Sequence, residues 1–237
     1  MFRTKRSFLS PAPLHLTVGS KDHWDKAAAE FRAHLVTFKD VEVPTALDVT
    51  LPSKVCPTLM LPWSDAMMGS SAACQAYASE RFVATHGARA AEWDVVWDDA
   101  GFGQPRLACA VPKRLLDALN TTALDCGVGL RSVRPRMVAA MRAAIPEVRQ
   151  GIATIVESDF LTICLLERRR VVTAHGMPWR RDGLSTVAGA VARFFLRHPY
   201  LKADQRIAVI DAGASLSATG LGAGVGQNLE LVRLHAN

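Results

Sequence analysis

The chain has 237 residues, 49% apolar and 21% charged, with 28 Lys and Arg against 22 Asp and Glu, a formal charge of +6. That length suits one large domain or two small ones, the apolar share is ample for a packed core, and the charged share is too low for intrinsic disorder. The basic excess is dilute, and by itself it selects neither an acidic partner nor an anionic membrane surface.

Several classes are excluded early. No stretch approaches the roughly 18–20 uninterrupted apolar residues of a membrane span. The best candidate, residues 183–196, contains Arg193. The basic start, Met1 to Arg6, is followed at once by Ser10, Pro11 and Pro13. That leaves no room for the roughly 7–15-residue apolar core of a signal peptide. The five cysteines, Cys56, Cys74, Cys109, Cys126 and Cys164, are odd in number and form no CxxC pair. This argues against a disulfide framework or a cysteine zinc site and suits a reducing compartment. Each sits in an apolar stretch and reads as a small buried hydrophobe.

In chain order, Leu14, Leu16 and Val18 alternate as a short strand, bounded by Gly19 and Ser20. Residues 25–38 read as a helix, with Ala27, Phe31, Leu35 and Phe38 on one face. Residues 47–51 alternate until Pro52 stops them, and residues 58–63 are a second short apolar run. Ser64 or Asp65 then caps a long helix to about residue 85, lined by Met67, Ser71, Cys74, Ala78 and Phe82 and ended by His86 and Gly87. Trp93, Val95 and Trp97 alternate with acidic residues as a half-buried strand. After a turn at 98–103, residues 107–111 read as a strand buried on both faces, and Pro112 opens a helix to about residue 125. Leu115, Leu116, Leu119 and Ala123 form its apolar stripe, with Gly127 past its end. A strand at 130–133 leads into an Arg-rich helix interrupted by Pro146.

From Gly151 the pattern changes to strands at 152–156, 160–166 and 171–174, a helix at 184–197 stopped by Pro199, a strand at 206–211 and a last strand near 229–234. A small-residue segment, 212–226, precedes that last strand. The order β-β-β-α-β-x-β describes half of an actin-like, ribonuclease-H-like domain. The fold class expected is α/β, two-lobed with mixed sheets. An N-terminal lobe would span 1–148, with an inserted strand–helix subdomain, and a C-terminal half 149–237.

On these residues the chain resembles the actin-like assembly proteins of type IV pili and type II secretion, the group of PilM and the GspL cytoplasmic domain. The resemblance is carried by the strand Leu107, Ala108, Cys109, Ala110, Val111 with its Pro112 step, and by helix 113–125. It continues through Cys126, Gly127, Val128, Gly129, Leu130, Arg131, Ser132 and Val133. Leu61, Pro62 and Trp63, with the long helix ending at His86 and Gly87, fit the preceding segment. The match runs in order over residues 47–211, by architecture more than by identity.

The departures matter. Active members of such a fold are expected to carry two Asp-x-Gly hairpin loops, because the backbone must approach the phosphates closely. Here the first strand is followed by Gly19 and Ser20 with no Asp, and the matching turn of the second half is Glu157, Ser158, Asp159, with no Gly. The resemblance therefore implies a nucleotide site that is degraded or lost, vestigial at most around Glu157, Asp159, Asp211 and Gly213, with no cofactor and no metal.

Other chemistry is sparse. Asp211 and Gly213 after a strand look like a phosphate hairpin but fall on the fourth strand of the half, where a strand-to-helix turn is the favoured account. The glycines at 220, 222, 224 and 226 fit neither GxGxxG nor a P-loop. A two-metal nuclease needs about three or four convergent carboxylates, and Asp159, Asp204 and Asp211 are the candidates. The seven histidines show no metal-ligand spacing, and His86 and His198 read as helix-end residues favoured by the dipole. Arg131, Arg134, Arg136, Arg142 and Arg149 read as a solvated helix face, and their segment lacks the aromatics of a single-strand nucleic-acid platform.

The function expected is a cytoplasmic, non-catalytic actin-like scaffold, peripheral to the inner membrane. It would bind the cytoplasmic tail of an inner-membrane component of a pilus or secretion assembly, with self-association compatible and nucleic acid not expected. Trp93, Val95, Trp97 and Leu107 are the candidate lining residues of the partner groove. The alternatives are a nucleotide-binding ATPase of the same fold and the two-metal nuclease.

Overall fold

The computed structural model describes residues 24–37, 46–144, 150–180, 187–199, 207–212 and 229–232. The first elements are α1 (Trp24–Thr37), β1 (Ala46–Leu51), β2 (Thr58–Leu61), α2 (Ser71–His86), β3 (Trp93–Trp97), β4 (Arg106–Pro112), α3 (Lys113–Asp125), β5 (Gly129–Pro135) and α4 (Arg136–Ala144). Then come β6 (Gly151–Val156), β7 (Phe160–Glu167), β8 (Arg170–Pro178), α5 (Val187–Arg197), β9 (Ile207–Asp211) and β10 (Leu229–Val232). The strand at 14–18, Phe38, Pro146 with the lobe boundary at 148–149, Leu184, Asp204, Gly213 and the glycines at 220–226 lie outside the described residues.

β6 to β10 form one sheet in the order β10-β9-β6-β7-β8. β6, β7 and β8 run antiparallel through tight hairpins, whereas β9 joins β6 in parallel after the crossover that carries α5. Because successive strand residues point to opposite faces, the sheet sends two different sets of side chains outward. Ile152, Val156, Leu161, Ile163, Leu165, Ile207 and Val209 meet Val187, Val191 and Phe194 of α5. Ala153, Ile155, Cys164, Leu166, Ala208 and Ile210 meet Met137, Ala140 and Met141 of α4. The near-continuous apolar runs of these strands are thus the signature of a sheet covered on both sides.

The N-terminal part is built from two smaller units. β1 pairs in parallel with β5, and Val49 and Leu51 pack with Phe31 and Leu35 of α1 and Leu115 and Leu119 of α3. A three-stranded antiparallel sheet in the order β2-β4-β3 is covered on one face by α2 through Cys74, Ala78 and Phe82. α4 follows β5 directly, and its buried methionines seat it on the C-terminal sheet, so the two halves share a core.

Three expectations need correction. The helix expected from Ser64 to residue 85 is broken: Ser64 caps a short 3-10 turn, Asp65–Met68, and after Gly69 a new cap, Ser70, accepts the N–H of Ala73 and starts α2. Two Ser caps within one stretch restart the helix, because each satisfies only its own first turn. His86 is not a charged partner of the helix dipole. Its ring packs on Phe82 and Trp93, and burial, with Arg89 second, holds its pKa below the ordinary value, so it is a neutral packing group. The arginines at 131, 134 and 136 do not form one solvated helix face either. Arg131 and Arg134 lie on β5 and bind Asp48 of β1, and Arg136 faces a buried carboxylate.

Candidate functional site

Two turns meet at the C-terminal ends of β1, β6 and β9. After β1, Pro52 cannot extend a strand ladder. Its carbonyl accepts the N–H groups of Val55 at 3.0 Å and Cys56 at 3.2 Å, which folds the chain back and buries Ser53. Ser53 Oγ accepts the N–H of Met137 at 3.2 Å. It thereby caps α4 from a distant part of the chain, a role that Pro135, the residue before that helix, has no side-chain oxygen to fill.

The N–H of Ser53 in turn donates to both carboxylate oxygens of Glu157, each at 3.2 Å. Glu157 follows β6, is 1% exposed, and closes the β6–β7 hairpin by donating its own N–H to the carbonyl of Phe160 at 2.8 Å. Arg136, first residue of α4, brings Nη1 to 3.6 Å from the Glu157 carboxylate and donates to the carbonyl of Ala212 at 3.5 Å. Burial pushes the Glu157 carboxyl above its ordinary pKa, while the two Ser53 bonds and Arg136 pull it back. A buried carboxylate of this kind persists only because its charge is matched and its oxygens are occupied.

The other candidate residues converge on the same place. Asp159 forms a half-exposed ion pair with Lys54. Asp211 ends β9, opposite Val156 in the parallel ladder, and the N–H of Ala212 donates to the carbonyl of Val156 at 2.9 Å. So Glu157, Asp159 and Asp211 share one end of the sheet, as adjacent strand ends require. Sequence reasoning missed Ser53, Lys54 and Arg136. The turn signal at Pro52 marks the first two, but only the tertiary arrangement separates Arg136 from the neighbouring arginines.

Chemically, this is a closed anion position. The Ser53 N–H and the Arg136 guanidinium, the donors that would meet a phosphate at such a turn, are aimed at a carboxylate that belongs to the chain itself. Among the described residues no group of three or more His, Cys, Asp or Glu side chains is placed to hold a metal ion.

The expected partner-binding residues divide between two faces of the three-stranded sheet. Val95 is 2% exposed beneath α2, with Trp93 and Trp97 half-buried on the same side. Leu107 has the opposite parity to Ala108 and Ala110, which share the Val95 cluster, and it packs toward α4 and β8 instead. Val96, on the face of β3 opposite Val95, is 55% exposed beside Cys109. β3 is an end strand of its sheet, flanked by the exposed carboxylates Glu92, Asp94, Asp98 and Asp99. Their ion pairs are long, Glu92 with Arg114 and Asp98 with Arg170, each at 3.9 Å.

No protein-family model matches the sequence, and no curated protein matches it. Solved structures do. The cytoplasmic domain of EpsL, an inner membrane component of the type II secretion system of Vibrio cholerae, is similar over 89% of this chain and 76% of its own, with 13% identity and a TM-score of 0.54. The PilM-PilN type IV pilus biogenesis complex matches over 86% of this chain and 75% of its own, at 10% identity and a TM-score of 0.59. A Bacteroides thetaiotaomicron protein with an actin-like ATPase fold and unknown function matches over 81% and 69%, at 11% identity and a TM-score of 0.54. The chain therefore has the actin-like ATPase fold, and the resemblance to pilus and type II secretion assembly proteins stands as a likeness of fold.

Proposed function

We propose that the protein is a non-catalytic scaffold of a pilus or secretion assembly, cytoplasmic and peripheral to the inner membrane, which binds the cytoplasmic tail of an inner-membrane component. The observation that carries the non-catalytic half is the Glu157–Arg136–Ser53 cluster. At the hairpin turn where an active actin-like protein needs Gly and an open cradle of donors, this chain has a buried carboxylate that already occupies those donors. Displacing it with a triphosphate would expel or protonate Glu157 and bring Asp159 and Asp211 against further negative charge.

The partner half is supported by the outer edge of β3, which no described strand pairs with, and by its charge. Cytoplasmic segments beside membrane spans are rich in Lys and Arg. The otherwise basic chain sets Glu92, Asp94, Asp98 and Asp99 around that strand, with Val96, Trp93 and Trp97 offering apolar contact and Leu107 on the neighbouring strand. An extended basic tail added to the edge would gain backbone hydrogen bonds, and alternate side chains would supply selectivity. No described helix is long and apolar enough to cross a membrane.

The test is thermal unfolding with and without millimolar Mg-ATP. A ligand at 100 times its dissociation constant stabilises by about 2.7 kcal/mol. We expect no shift for the wild type. A clear shift, lost in Asp211→Asn, would replace this reading with an active ATPase. In parallel, labelled peptides with the sequences of inner-membrane tails from pilus and secretion components should bind, and Val96→Lys should weaken the best of them at least tenfold. Absence of binding by every such tail would remove the partner half.

A further inference from the structure

We propose that a basic pocket between β8 and the C-terminal end of α5 is a second docking site, which takes an acidic, apolar segment of a partner protein as a strand added beside β8. The pocket has a volume of about 300 Å³ and is lined by His175 and Met177 of β8 and by Arg193, Phe194, Leu196 and Arg197 of α5. That volume is at the lower end for ligand sites, enough for one or two side chains rather than a cofactor.

Each part of the pocket has a use in strand capture. β8 is the terminal strand of its five-stranded sheet and, among the described strands, is hydrogen-bonded only to β7; β2 and β4 of the three-stranded sheet pack against part of it, and the pocket opens beside His175 and Met177. His175 and Met177 are two apart and point to the same side, where an added strand would send every second side chain as well. Phe194 supplies a buried apolar floor and Leu196, 82% exposed, an apolar wall. Arg193 and Arg197 stand one turn apart on α5, on the face that overhangs the pocket. Arg197 Nη1 lies 2.9 Å from His175 Nε2, which fixes its guanidinium at the rim.

The charge is what names the occupant. Among the described residues no carboxylate pairs with Arg193 or Arg197. The negative end of the α5 dipole accounts for a cation at Arg197 in the last turn. It accounts neither for Arg193 one turn earlier nor for a leucine left in water between them. A segment alternating Glu or Asp with apolar residues would pair with both guanidiniums and fill the apolar floor. The edge of β3 has the opposite sign, so one segment cannot serve both places, and the two sites would let the molecule bridge two different partners.

The experiment uses the full chain and a short fluorescein-labelled peptide that alternates glutamate with valine, read by anisotropy. The expected result is saturable binding, weakened at least tenfold in Arg193→Glu/Arg197→Glu and in Leu196→Asp, and left unchanged by Val96→Lys at the other sheet. Binding should fall when lysine replaces glutamate in the peptide. All three altered residues are on the surface, and an Arg193→Gln/Arg197→Gln pair, which removes charge without reversing it, should give the same loss. The proposal is overturned if the glutamate peptide does not bind, if the lysine peptide binds equally well, or if both arginine pairs leave binding unchanged. It is also overturned if the arginines are needed for binding phosphatidylglycerol vesicles while the peptide goes unbound, which would make this face a membrane contact. Because the probe is acidic, failure here leaves the basic-tail reading of β3 untouched.

Discussion

Removing the Arg136 guanidinium while keeping Glu157 isolates the buried pair that distinguishes this site. Arg136 is the cation that pulls the Glu157 carboxyl back down against burial, so in Arg136→Met its folded pKa rises further. A carboxyl whose folded pKa lies above its unfolded value contributes stability that is full below the unfolded pKa and is lost as pH rises through the folded one. We therefore expect Arg136→Met to cost about 3–5 kcal/mol at neutral pH, the range for stripping one partner from a buried ion pair, and much less at about pH 4. Denaturant unfolding at the two pH values checks this, and an equal loss at both would show that Arg136 acts through packing alone. The acidic turn after β6 was legible in the sequence as the place where a phosphate loop should be. Its partners were not, because Ser53 and Arg136 lie 104 and 21 positions away and only the folded chain aims them at one carboxylate.

At the scale of elements, β1 pairs only with β5 among the described strands, and the ladder is held by Asp48, bound by Arg131, Ser132 and Arg134. The Arg131 and Ser132 bonds, first among the causes, lower the Asp48 pKa to about 2. With a depressed carboxylate the sign is opposite to that of Glu157: the stability is present above the ordinary value of 3.8 and is lost as pH falls through about 2. Because the pair is partly exposed, Asp48→Asn should cost only about 1 kcal/mol at neutral pH, and the difference should vanish on acidification, as titration of the unfolding midpoint would reveal. The β7–β8 hairpin offers a gain instead. Its two-residue loop puts Arg168 and Arg169 at φ of 49° and 66°, the left-handed region a type I′ turn demands and arginine resists. Replacing the two by Asn and Gly should raise stability by about 1 kcal/mol, and an unchanged midpoint would mean the arginines have contacts that offset the strain. The hairpin was readable from the charges between two apolar runs, whereas the restart of α2 was not, since Ser64 and Ser70 are equally good caps and the backbone at Gly69 decides between one helix and two.

Across the whole molecule, α4 ties the halves together by packing on the C-terminal sheet while following directly from β5. A shared core predicts one cooperative transition. Tryptophan fluorescence, which draws on Trp63, Trp93 and Trp97 around the three-stranded sheet and on Trp179 in the C-terminal core, should therefore coincide with far-ultraviolet circular dichroism during denaturation. Separate midpoints would mean that the small sheet unfolds by itself. By itself the sequence determined the element order from β1 to β9, the near-continuous apolar runs of the strands from Gly151 onward, and the lack of a glycine at the Glu157 turn, because periodicity and turn chemistry are local. Only the tertiary structure decided which side chains face solvent and which face one another. Val95 is core and Val96 is surface, Arg136 is a buried counter-ion, and Arg193 and Arg197 overhang a pocket, since each of these depends on what a distant segment packs against.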